Sequence, residues 1–554
     1  MQLSLKQWRQ IYRSLLVLRV FLAFWGTGYI HPDEYFQNAE VTAGPIFGWH
    51  TLRTWEWDPK FPCRSIIPPF LTTGLPFAIV NHFIPLDNPV HVFLIQRASF
   101  FFSSLLLDYA LTNLLSPPVP LHRTKSLVLL ASSHTLLTFQ LRPFSNSIEA
   151  VLLALVLVVF KKVMECGQLN RRVDTKEDGD SEENKEGGWN LCVLAMLFVL
   201  GIWTRITFVA FTLPTILQLF RWSLLSPSSP HKTRTLKSWL HLISLPTFYA
   251  ILTTLLLIAS DTLYFRSSLS IKDVVVTPLN FLAYNLSSDN LSAHGIHPRY
   301  LHILVNLPLI IGPGLVMFGC RASWVWLRVF LREMKVGGGG GAWSFVNQTL
   351  VFTIISSVTI LSIQPHQEPR FLIPLLVPFV ALVGNSRFFA RVGKVFWTTW
   401  IVSNILLTIL FGIFHQGGVI PSVFHLRTLL DERSIGSKDV RIVYWKTYMP
   451  PGHLLGVSQL DGDSGKVTIT DLAGASPSTL LTTLSPLTLT ANTDIYLIAP
   501  IYAMPHIPCL VLQHGIFPHL NLDHLDEVWE VGLRDGLTLG VFGWEGTCEE
   551  GVGG

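Results

Sequence analysis

The stretch GYIHPDEYFQ, residues 28–37, places a histidine, a proline and two carboxylates directly after a mostly apolar run. If that run crosses a membrane, Asp33 and Glu34 lie at the membrane boundary, where a carboxylate meets lipid-borne substrates and water is limited. Partial desolvation raises the pKa of a carboxylate toward the range of a general base. Alternatively, the pair only caps an interfacial helix that follows Pro32. The choice depends on whether the chain enters a membrane.

The composition is typical of a multi-pass membrane protein. Only 14% of the 554 residues are charged, whereas soluble proteins average about 25%, and the mean hydropathy is +0.44. Apolar runs recur from residue 14 to residue 415, and several approach the roughly 20 residues that cross a bilayer. We expect roughly ten crossings, within about two. The net charge of +4 does not indicate nucleic-acid binding, because the basic residues cluster in loops between apolar runs.

The basic residues also predict the orientation, since Lys and Arg in short loops mark the cytosolic side. The N-terminal segment is basic and has no small-residue cleavage site after its apolar run, so we interpret it as an uncleaved first span. The remaining basic loops are residues 122–125, 161–188, 221–237, 321–335 and 387–394. Placing them in the cytosol leaves the following parts in the lumen: the residues after the first span, 142–149, 261–300, 365–371 and everything after Phe414.

The chain divides by character into two predicted domains. Residues 1–415 carry the apolar runs, whereas residues 416–554 alternate short β-like runs with polar turns, which indicates a C-terminal lumenal α/β domain. Asn285 and Asn290 each begin a glycosylation sequon in a predicted lumenal loop. Residues 170–188 are charged and poor in apolar side chains, which predicts disorder.

Further polar side chains fall on the predicted lumenal side, and they combine carboxylates with cations: Asp261, His294, His297, Arg299, His302, His366, Glu368 and Arg370. Cations of this kind stabilise the charge on a departing phosphate. Together with a carboxylate at the membrane face, they suggest group transfer from a lipid phosphate. Arg205 interrupts an apolar stretch and is a functional candidate for that reason. Alternatively, His and Arg side chains near the headgroups only anchor the interface.

The histidine and cysteine spacings predict no cofactor. The histidines match no zinc motif, so no metal is expected. The six cysteines form no CxxC pair, so no disulfide framework follows from them. Cys63, Cys509 and Cys548 would lie on the oxidising side, where a bond between two of them is possible.

Three motifs resemble those of the dolichol-phosphate-mannose-dependent mannosyltransferases of the endoplasmic reticulum, which have the multi-pass GT-C fold. They are HPDE at 31–34, RPFSNSIE at 142–149 and HQEPRFL at 366–372. Four stretches are similar to the branch of this family that adds the fourth mannose to the glycosylphosphatidylinositol (GPI) precursor: VTPLNFLAYN, NLSAHGIHPRYLHILVNLP, FHQGGV and YWKTYMPP. The resemblance covers nearly the whole chain.

The resemblance implies a reaction. Mannose would move from dolichyl phosphate β-mannose to a hydroxyl of the third mannose, forming an α-1,2 bond. Because donor and product have opposite anomeric configuration, the step would be one inverting displacement, without a covalent intermediate and without a metal. The site would lie on the lumenal side of the endoplasmic reticulum membrane.

For this reaction we predict Asp33 as the general base, supported by Glu34. The side chains predicted to bind the substrate or the donor phosphate are His31, Arg205, Asp261, His294, His297, Arg299, His366, Glu368 and Arg370. The predicted partners are the donor lipid, the GPI precursor and the membrane; the sequence leaves open whether a protein partner is needed, and it predicts no nucleic-acid partner.

Two alternatives remain at the level of sequence. A related lumenal enzyme that adds the third GPI mannose, or a mannose of the N-glycan precursor, would share the HPDE motif. A multi-pass lipid transporter would instead have repeats and charges buried in mid-span. The chain has no internal repeat, and its ionisable clusters fall at span ends on one face, with Arg19 and Arg205 as the exceptions.

Overall fold

The computed structural model describes residues 3–115, 120–173, 182–225, 236–287, 290, 295–336, 340–432, 438–488, 493–505, 507, 509–525, 528 and 531–544. Helices make up most of the chain up to residue 432. Their bounds are Leu5–Trp25, Asp33–Phe36, Ala39–Phe47, Ile67–Pro69, Leu75–Phe83, Pro89–Leu114, Pro120–Ala131, His134–Leu137, Ser145–Val173, Glu182–Thr204, Phe208–Leu225, Leu236–Arg266, Thr277–Leu286, Leu307–Ile311, Pro313–Val336, Ala342–Ile363, Leu376–Gly384, Lys394–Ile409 and Val419–Glu432.

Six helical segments among the described residues are long and apolar enough to cross a membrane: Pro89–Leu114, Gly187–Thr204, Ile243–Arg266, Pro313–Val336, Ala342–Ile363 and Lys394–Phe414. Three further helices, Leu5–Trp25, Ser145–Val173 and Phe208–Leu225, have 21, 29 and 18 residues. The chain is therefore a multi-pass membrane protein, as its composition predicts. The number of crossings stays a prediction.

The predicted disorder of residues 170–188 is wrong where the structure describes them. Helix Ser145–Val173 runs to Val173, and helix Glu182–Thr204 begins at Glu182; the residues between them lie outside the described part. The two helices pack against each other. Glu and Lys are good helix formers, so a charged segment at the ends of two packed helices continues them.

A buried ion pair joins the first helix to helix Pro89–Leu114. Arg19, which interrupts the apolar run of the first helix, is fully buried and contacts Asp108 at 2.5 Å between Nη1 and Oδ2. A charge inside a membrane protein requires such a partner. The pairing explains Arg19 as a structural contact between two helices.

A five-stranded mixed sheet follows the helices. Its strands are β1 Asp439–Tyr444, β2 Val467–Asp471, β3 Thr493–Pro500, β4 Leu510–Ile516 and β5 Leu539–Trp544, in the order β2-β1-β3-β5-β4. β1 is parallel to β2 and β3, whereas β5 is antiparallel to β3 and β4. Because successive side chains of a strand point to opposite faces, Ile442 packs with helix Val419–Glu432 and Val443 packs with helix Pro477–Thr488. This arrangement confirms the predicted α/β fold of the C-terminal part; the boundary at residue 415 stays a prediction.

The segments that follow β1 hold the chain after the first helix. Tyr29 donates its hydroxyl to the carbonyl of Met449 at 3.0 Å. Glu40 is fully buried and accepts hydrogen bonds from the backbone N–H of Leu52 at 2.6 Å and of His453 at 3.2 Å, and it also contacts the ring of His453. The C-terminal part thus fixes the loops around residues 28–52.

Candidate active site

The HPDE turn is docked on the segment that follows helix Lys394–Ile409. Gly28 donates its backbone N–H to the carbonyl of Gly412 at 2.9 Å, and Tyr29 donates to His415 at 2.9 Å. A Cβ at Gly28 would lie 2.2 Å from the carbonyl oxygen of Phe411, so only glycine permits this close approach. The docked backbone ends at the short helix Asp33–Phe36, which places the two carboxylates of the motif.

Asp33 belongs to a partly open group of five side chains, His31, Asp33, His366, Glu368 and Arg370, which we call the polar cluster. The guanidinium of Arg370 contacts both Asp33 and Glu368, with 2.9 Å between Nη2 and Glu368 Oε1. His366 Nε2 lies 2.7 Å from Glu368 Oε1, and His31 Nε2 lies 3.8 Å from Glu368 Oε2. The side chain of Asp33 is 22% exposed, whereas that of Arg370 is 7% exposed. The cluster thus brings together four side chains from two distant motifs around one arginine.

Both carboxylates of the polar cluster are held in the ionised state. Burial by itself raises the pKa of Asp33, but the charge of Arg370, followed by that of His31, outweighs burial and holds this pKa well below its usual value. The same balance of burial against Arg370 and His31 holds the pKa of Glu368 low. The expectation that desolvation raises the pKa of the HPDE carboxylate is therefore wrong for Asp33, because a distant arginine contacts it.

Glu34 faces the protein interior instead. Its carboxylate is fully buried and lies 3.0 Å from Nη2 of Arg97 and 3.8 Å from Nη1 of Arg142. The backbone N–H of Ile30 donates to its second oxygen at 3.3 Å. Arg97 also donates to the hydroxyl of Tyr35 at 3.1 Å. We call Glu34, Arg97 and Arg142 the buried ion cluster.

Gln37 connects the HPDE turn to the second motif. Its amide nitrogen lies 2.5 Å from Asp33 Oδ2 and 3.0 Å from Glu56 Oε2, and its amide oxygen accepts a hydrogen bond from Ser145 Oγ at 2.8 Å. Arg205 donates to the same Ser145 Oγ at 3.0 Å. A continuous chain of hydrogen bonds therefore runs from Asp33 to Arg205.

Arg205 is buried beside a carboxylate of the second motif. Its Nε lies 3.4 Å from Glu149 Oε2, and its guanidinium lies 5.1 Å from the ring centroid of Phe371. Thr207 donates to the other oxygen of Glu149 at 2.8 Å. The predicted intramembrane arginine thus has a buried partner, and its hydrogen bonds lead to the polar cluster through Ser145 and Gln37.

Asp261 lies apart from the polar cluster. It is fully buried and accepts hydrogen bonds from Ser65 Oγ at 2.9 Å, from the N–H of Ile66 at 3.1 Å and from Thr277 Oγ1 at 2.9 Å. These bonds join the end of its own helix to the loop before residue 67 and to helix Thr277–Leu286. In the described part of the chain, its contacts are structural.

The predicted histidine and arginine cluster at 294–302 borders the polar cluster. The ring of His297 lies 5.8 Å from that of His366, and its Nδ1 accepts from the N–H of Gln367 at 3.3 Å. Arg299 is exposed, and His302 is buried with its N–H on Gln367 Oε1 at 2.9 Å. His294 lies outside the described residues. The structure thus places His297 beside the cluster, while the roles of these side chains stay predictions.

The two sequon asparagines lie at helix Thr277–Leu286. Asn285 donates its amide to the carbonyl of Phe281 at 2.8 Å, and Asn290 donates to that of Tyr284 at 3.2 Å. Glycosylation of either stays a prediction.

Two of the three cysteines predicted to be lumenal are described. Cys63 is a buried free thiol, whereas Cys509 is disulfide-bonded. Cys548 lies outside the described residues. Cys63 therefore takes no part in a disulfide bond.

Within the ranges that the structure describes, no three His, Cys, Asp or Glu side chains stand close enough together to hold a metal ion.

Several side chains that shape the site are not among the residues predicted from the sequence. Arg97 interrupts an apolar helix, which is the same signal that singled out Arg205. Gln37 follows Asp33 by one helical turn, a spacing that places both on one face. Tyr448 lies in the quoted stretch YWKTYMPP; its hydroxyl is 3.3 Å from His415 Nε2, and its ring is 6.3 Å from that of His31. Only the tertiary contacts show that Arg97, Gln37 and Tyr448 all lie beside the HPDE motif.

Comparison with known proteins identifies the family. Residues 10–455 match the Alg9-like mannosyltransferase family. The chain is 32% identical to GPI mannosyltransferase 4 of Aspergillus oryzae over 94% of each chain, and 32% identical to that of Candida albicans over 94% of this chain and 96% of the relative. It is also 32% identical to human GPI alpha-1,2-mannosyltransferase 4, over 88% of this chain and 82% of the relative. The chain belongs to the Alg9-like mannosyltransferase family.

The fold is shared with a solved membrane enzyme. ArnT from Cupriavidus metallidurans in the apo state superimposes with a TM-score of 0.50 over 98% of each chain, at 9% sequence identity. At this identity the likeness concerns the fold alone. It confirms the predicted multi-pass GT-C architecture.

Proposed function

We propose that this membrane mannosyltransferase transfers mannose from dolichyl phosphate β-mannose to the third mannose of the GPI precursor, forming an α-1,2 bond on the lumenal side of the endoplasmic reticulum membrane. The names of the relatives from Aspergillus oryzae, Candida albicans and human support the substrate and the linkage. The observation that carries the proposal is the polar cluster. There the partly exposed carboxylate of Asp33, in the HPDE motif after the first helix, contacts Arg370 of the HQEPRFL motif.

Asp33 is the proposed general base. As the hydroxyl oxygen of the acceptor attacks the anomeric carbon, Asp33 takes the hydroxyl proton. The bond between the anomeric carbon and the phosphate oxygen breaks, and dolichyl phosphate leaves with the electron pair. Because Asp33 is ionised and partly exposed, it is ready to accept a proton once an acceptor hydroxyl approaches.

Arg370 controls the basicity of Asp33. Its guanidinium is shared between Asp33 and Glu368, so a donor phosphate that binds Arg370 would compete with these carboxylates for it. Loss of the contact with Asp33 would raise the proton affinity of that carboxylate, because the charge that opposes burial most strongly would be gone. Binding of the phosphate and activation of the base are coupled in this way through one side chain.

The first side chains to meet the phosphate are proposed to be His297 and Arg299, which border the polar cluster, and His366, which belongs to it; all three are more exposed than Arg370. An inverting displacement needs the base and the leaving group on opposite sides of the sugar. Contacts between neighbouring side chains lead from His297 through His366 and Glu368 to Arg370 and Asp33. The sugar would lie between the two ends of this series. Arg299 and Arg370 would provide the positive charge that a leaving phosphate requires, with His297 and His366 as further polar contacts, and we propose that no metal takes part.

The buried carboxylates are proposed to position the reacting groups without contacting the substrate. Glu34 fixes the HPDE turn through Arg97 and Arg142. Arg205 holds Ser145, which in turn holds the amide that contacts Asp33. Asp261 fixes the neighbouring loop in the same manner.

A transfer assay with the full chain in liposomes tests the proposal. Radiolabelled dolichyl phosphate mannose and the three-mannose GPI precursor should give a four-mannose product that an α-1,2-mannosidase shortens again. GDP-mannose should give none, and EDTA should leave the rate unchanged. Transfer only to a two-mannose GPI precursor or to an N-glycan precursor would contradict the proposed acceptor, and lipid movement without donor would contradict the transfer itself.

A further inference from the structure

A long apolar groove runs along the surface of the helical domain. Its volume is about 920 Å³, and it runs between helices Leu5–Trp25, Pro120–Ala131 and Lys394–Ile409. Leu18, Phe21, Ile401, Ile405 and Ile409 are among its lining side chains, and all five are exposed. Helix Lys394–Ile409 belongs to a segment long and apolar enough to cross a membrane, so an exposed apolar groove along it faces lipid, and its occupant enters from the bilayer.

The two ends of the groove differ in charge. At one end lie Lys125, Arg391 and Lys394; at the other lie Leu22 and Ile413. The second end adjoins the docked HPDE turn, because Thr27 donates its hydroxyl to the carbonyl of Ile413 at 3.2 Å. Helix Lys394–Ile409 leads from the cationic end toward that turn, so the cations lie at the opposite membrane face from the polar cluster.

The cations at this end have no carboxylate partner. Among the residues that the structure describes, Lys125, Arg391 and Lys394 form no ion pair. Lys125 is half-buried, and its ammonium lies 5.6 Å from the ring centroid of Trp8. Three unpaired cations at the mouth of an apolar groove indicate an anionic ligand with an apolar tail.

The backbone adds a further positive contribution at the same place. Helix Lys394–Ile409 begins after Gly393, which supplies no side-chain cap and lines the groove. The backbone N–H groups of an uncapped first turn lack an intrahelical acceptor, and the helix dipole favours an anion there. The uncapped turn and the cations thus point to the same ligand.

We propose that this groove binds an anionic glycerophospholipid from the leaflet opposite the polar cluster. Its phosphate lies among Lys125, Arg391 and Lys394, and its acyl chains follow the apolar walls toward Ile413. The volume falls within the roughly 300–1,000 Å³ of ligand sites in proteins. The dolichyl donor does not fit this assignment, because its phosphate must reach the polar cluster at the other membrane face. A bound lipid would brace two helices that hold the HPDE turn.

Lipid retention by the purified full chain tests the proposal. The protein is equilibrated with equal amounts of phosphatidylserine and phosphatidylcholine in detergent, and bound lipid is measured by native mass spectrometry. We expect the wild type to retain phosphatidylserine in preference. The triple variant K125Q/R391Q/K394Q should lose that preference by at least about tenfold, since each basic residue contributes to the attraction. R328Q/R332Q/K335Q, which removes three exposed cations of helix Pro313–Val336 outside the groove, is the matched control and should behave as the wild type.

A second variant covers the case in which the triple variant does not fold. Ile405→Trp changes an exposed lining residue and narrows the groove without altering charge; it should reduce retention of phosphatidylserine in a protein with wild-type melting temperature. Equal retention of both phospholipids by the wild type would overturn the proposal. Loss in the matched control, or recovery of dolichyl phosphate or of a co-purifying membrane helix as the occupant, would overturn it as well.

Discussion

Asp33 and Glu34 are neighbours in sequence, yet they lie in opposite environments. The side chain of Asp33 is 22% exposed and that of Glu34 is fully buried. In the polar cluster two carboxylates share one arginine, Arg370; in the buried ion cluster two arginines share one carboxylate. The polar cluster has more carboxylates than arginines and is partly exposed, so a substrate can reach it. The buried ion cluster is closed to substrates. One motif thus combines a partly exposed carboxylate, the proposed base, with a buried one.

The largest effect is expected from Asp33→Asn. General-base catalysis contributes roughly 10²–10⁴ in rate, so turnover should fall by that factor while protein abundance and melting temperature stay at wild-type levels. Glu34→Gln is the matched control on the neighbouring residue, and its folded fraction should retain turnover within about tenfold. Mannose transfer per folded molecule is the measurement. If Asp33→Asn keeps wild-type turnover, Asp33 is not the general base.

The buried ion cluster should respond in stability. Removal of one partner from a buried ion pair typically costs about 3–5 kcal/mol, so Glu34→Leu should lower the free energy of unfolding on this scale. Because Glu34→Leu combined with Arg97→Met replaces both charges with apolar groups, the double variant should regain part of the loss. Thermal unfolding in detergent measures both. A stable but inactive Glu34→Leu protein would show that Glu34 acts in the reaction and not only in stability.

Arg370→Gln should change the pH dependence of turnover. In the wild type the pKa of Asp33 is low, so Asp33 stays ionised and activity falls only on the acidic side of its usual value. Without Arg370, the charge that opposes burial most strongly is gone and the pKa of Asp33 rises, so the acidic limb of the rate profile should move to higher pH. The same sign applies to stability: a lowered carboxylate pKa stabilises the fold above the unfolded pKa, and this contribution is lost as pH falls through the folded value.

The profile of turnover against pH, taken from pH 4 to pH 9 on folded protein, measures the shift. Arg97→Gln is the control: it should lower the melting temperature and leave the acidic limb in place, because Arg97 contacts Glu34 and not Asp33. An unmoved limb in Arg370→Gln would separate Arg370 from Asp33 in function.

The smallest effect is expected from Gln37→Leu, which removes the amide that contacts Asp33 and Ser145. A single hydrogen bond contributes about 0.5–1.5 kcal/mol, or somewhat more when a partner is charged, so turnover should fall by roughly tenfold. The loss should appear in kcat rather than in KM, because Gln37 positions Asp33 and is not proposed to bind substrate. A rise in KM alone would contradict this role.

The sequence predicted the fold well because apolar runs, basic loops and β-like alternation are local signals. They indicated the membrane helices and the C-terminal α/β part, and the motifs indicated the family. The disorder predicted for residues 170–188 is wrong for the described residues 170–173 and 182–188, which continue two helices. Local composition does not reveal that these helices pack against each other.

The site was harder to predict. Asp33 and Arg370 lie 337 residues apart, so sequence could place both at one membrane face but could not reveal that they touch. Sequence alone predicts that burial raises the pKa of Asp33. The contact with Arg370, which sequence does not reveal, outweighs burial and lowers this pKa. The different environments of the Asp33 and Glu34 side chains also follow from tertiary packing, since the partner of Glu34 is Arg97 in a distant helix.

The central claim is that Asp33, and not Glu34, accepts the proton of the acceptor. Chemical rescue tests it most directly: Asp33→Ala and Glu34→Ala are assayed for mannose transfer with and without sodium formate, at matched amounts of folded protein. The partly exposed position of Asp33 admits a small carboxylate, so formate should restore a measurable part of the turnover of Asp33→Ala and leave Glu34→Ala unchanged. Rescue of Glu34→Ala alone would contradict the claim and assign the base to the neighbouring residue.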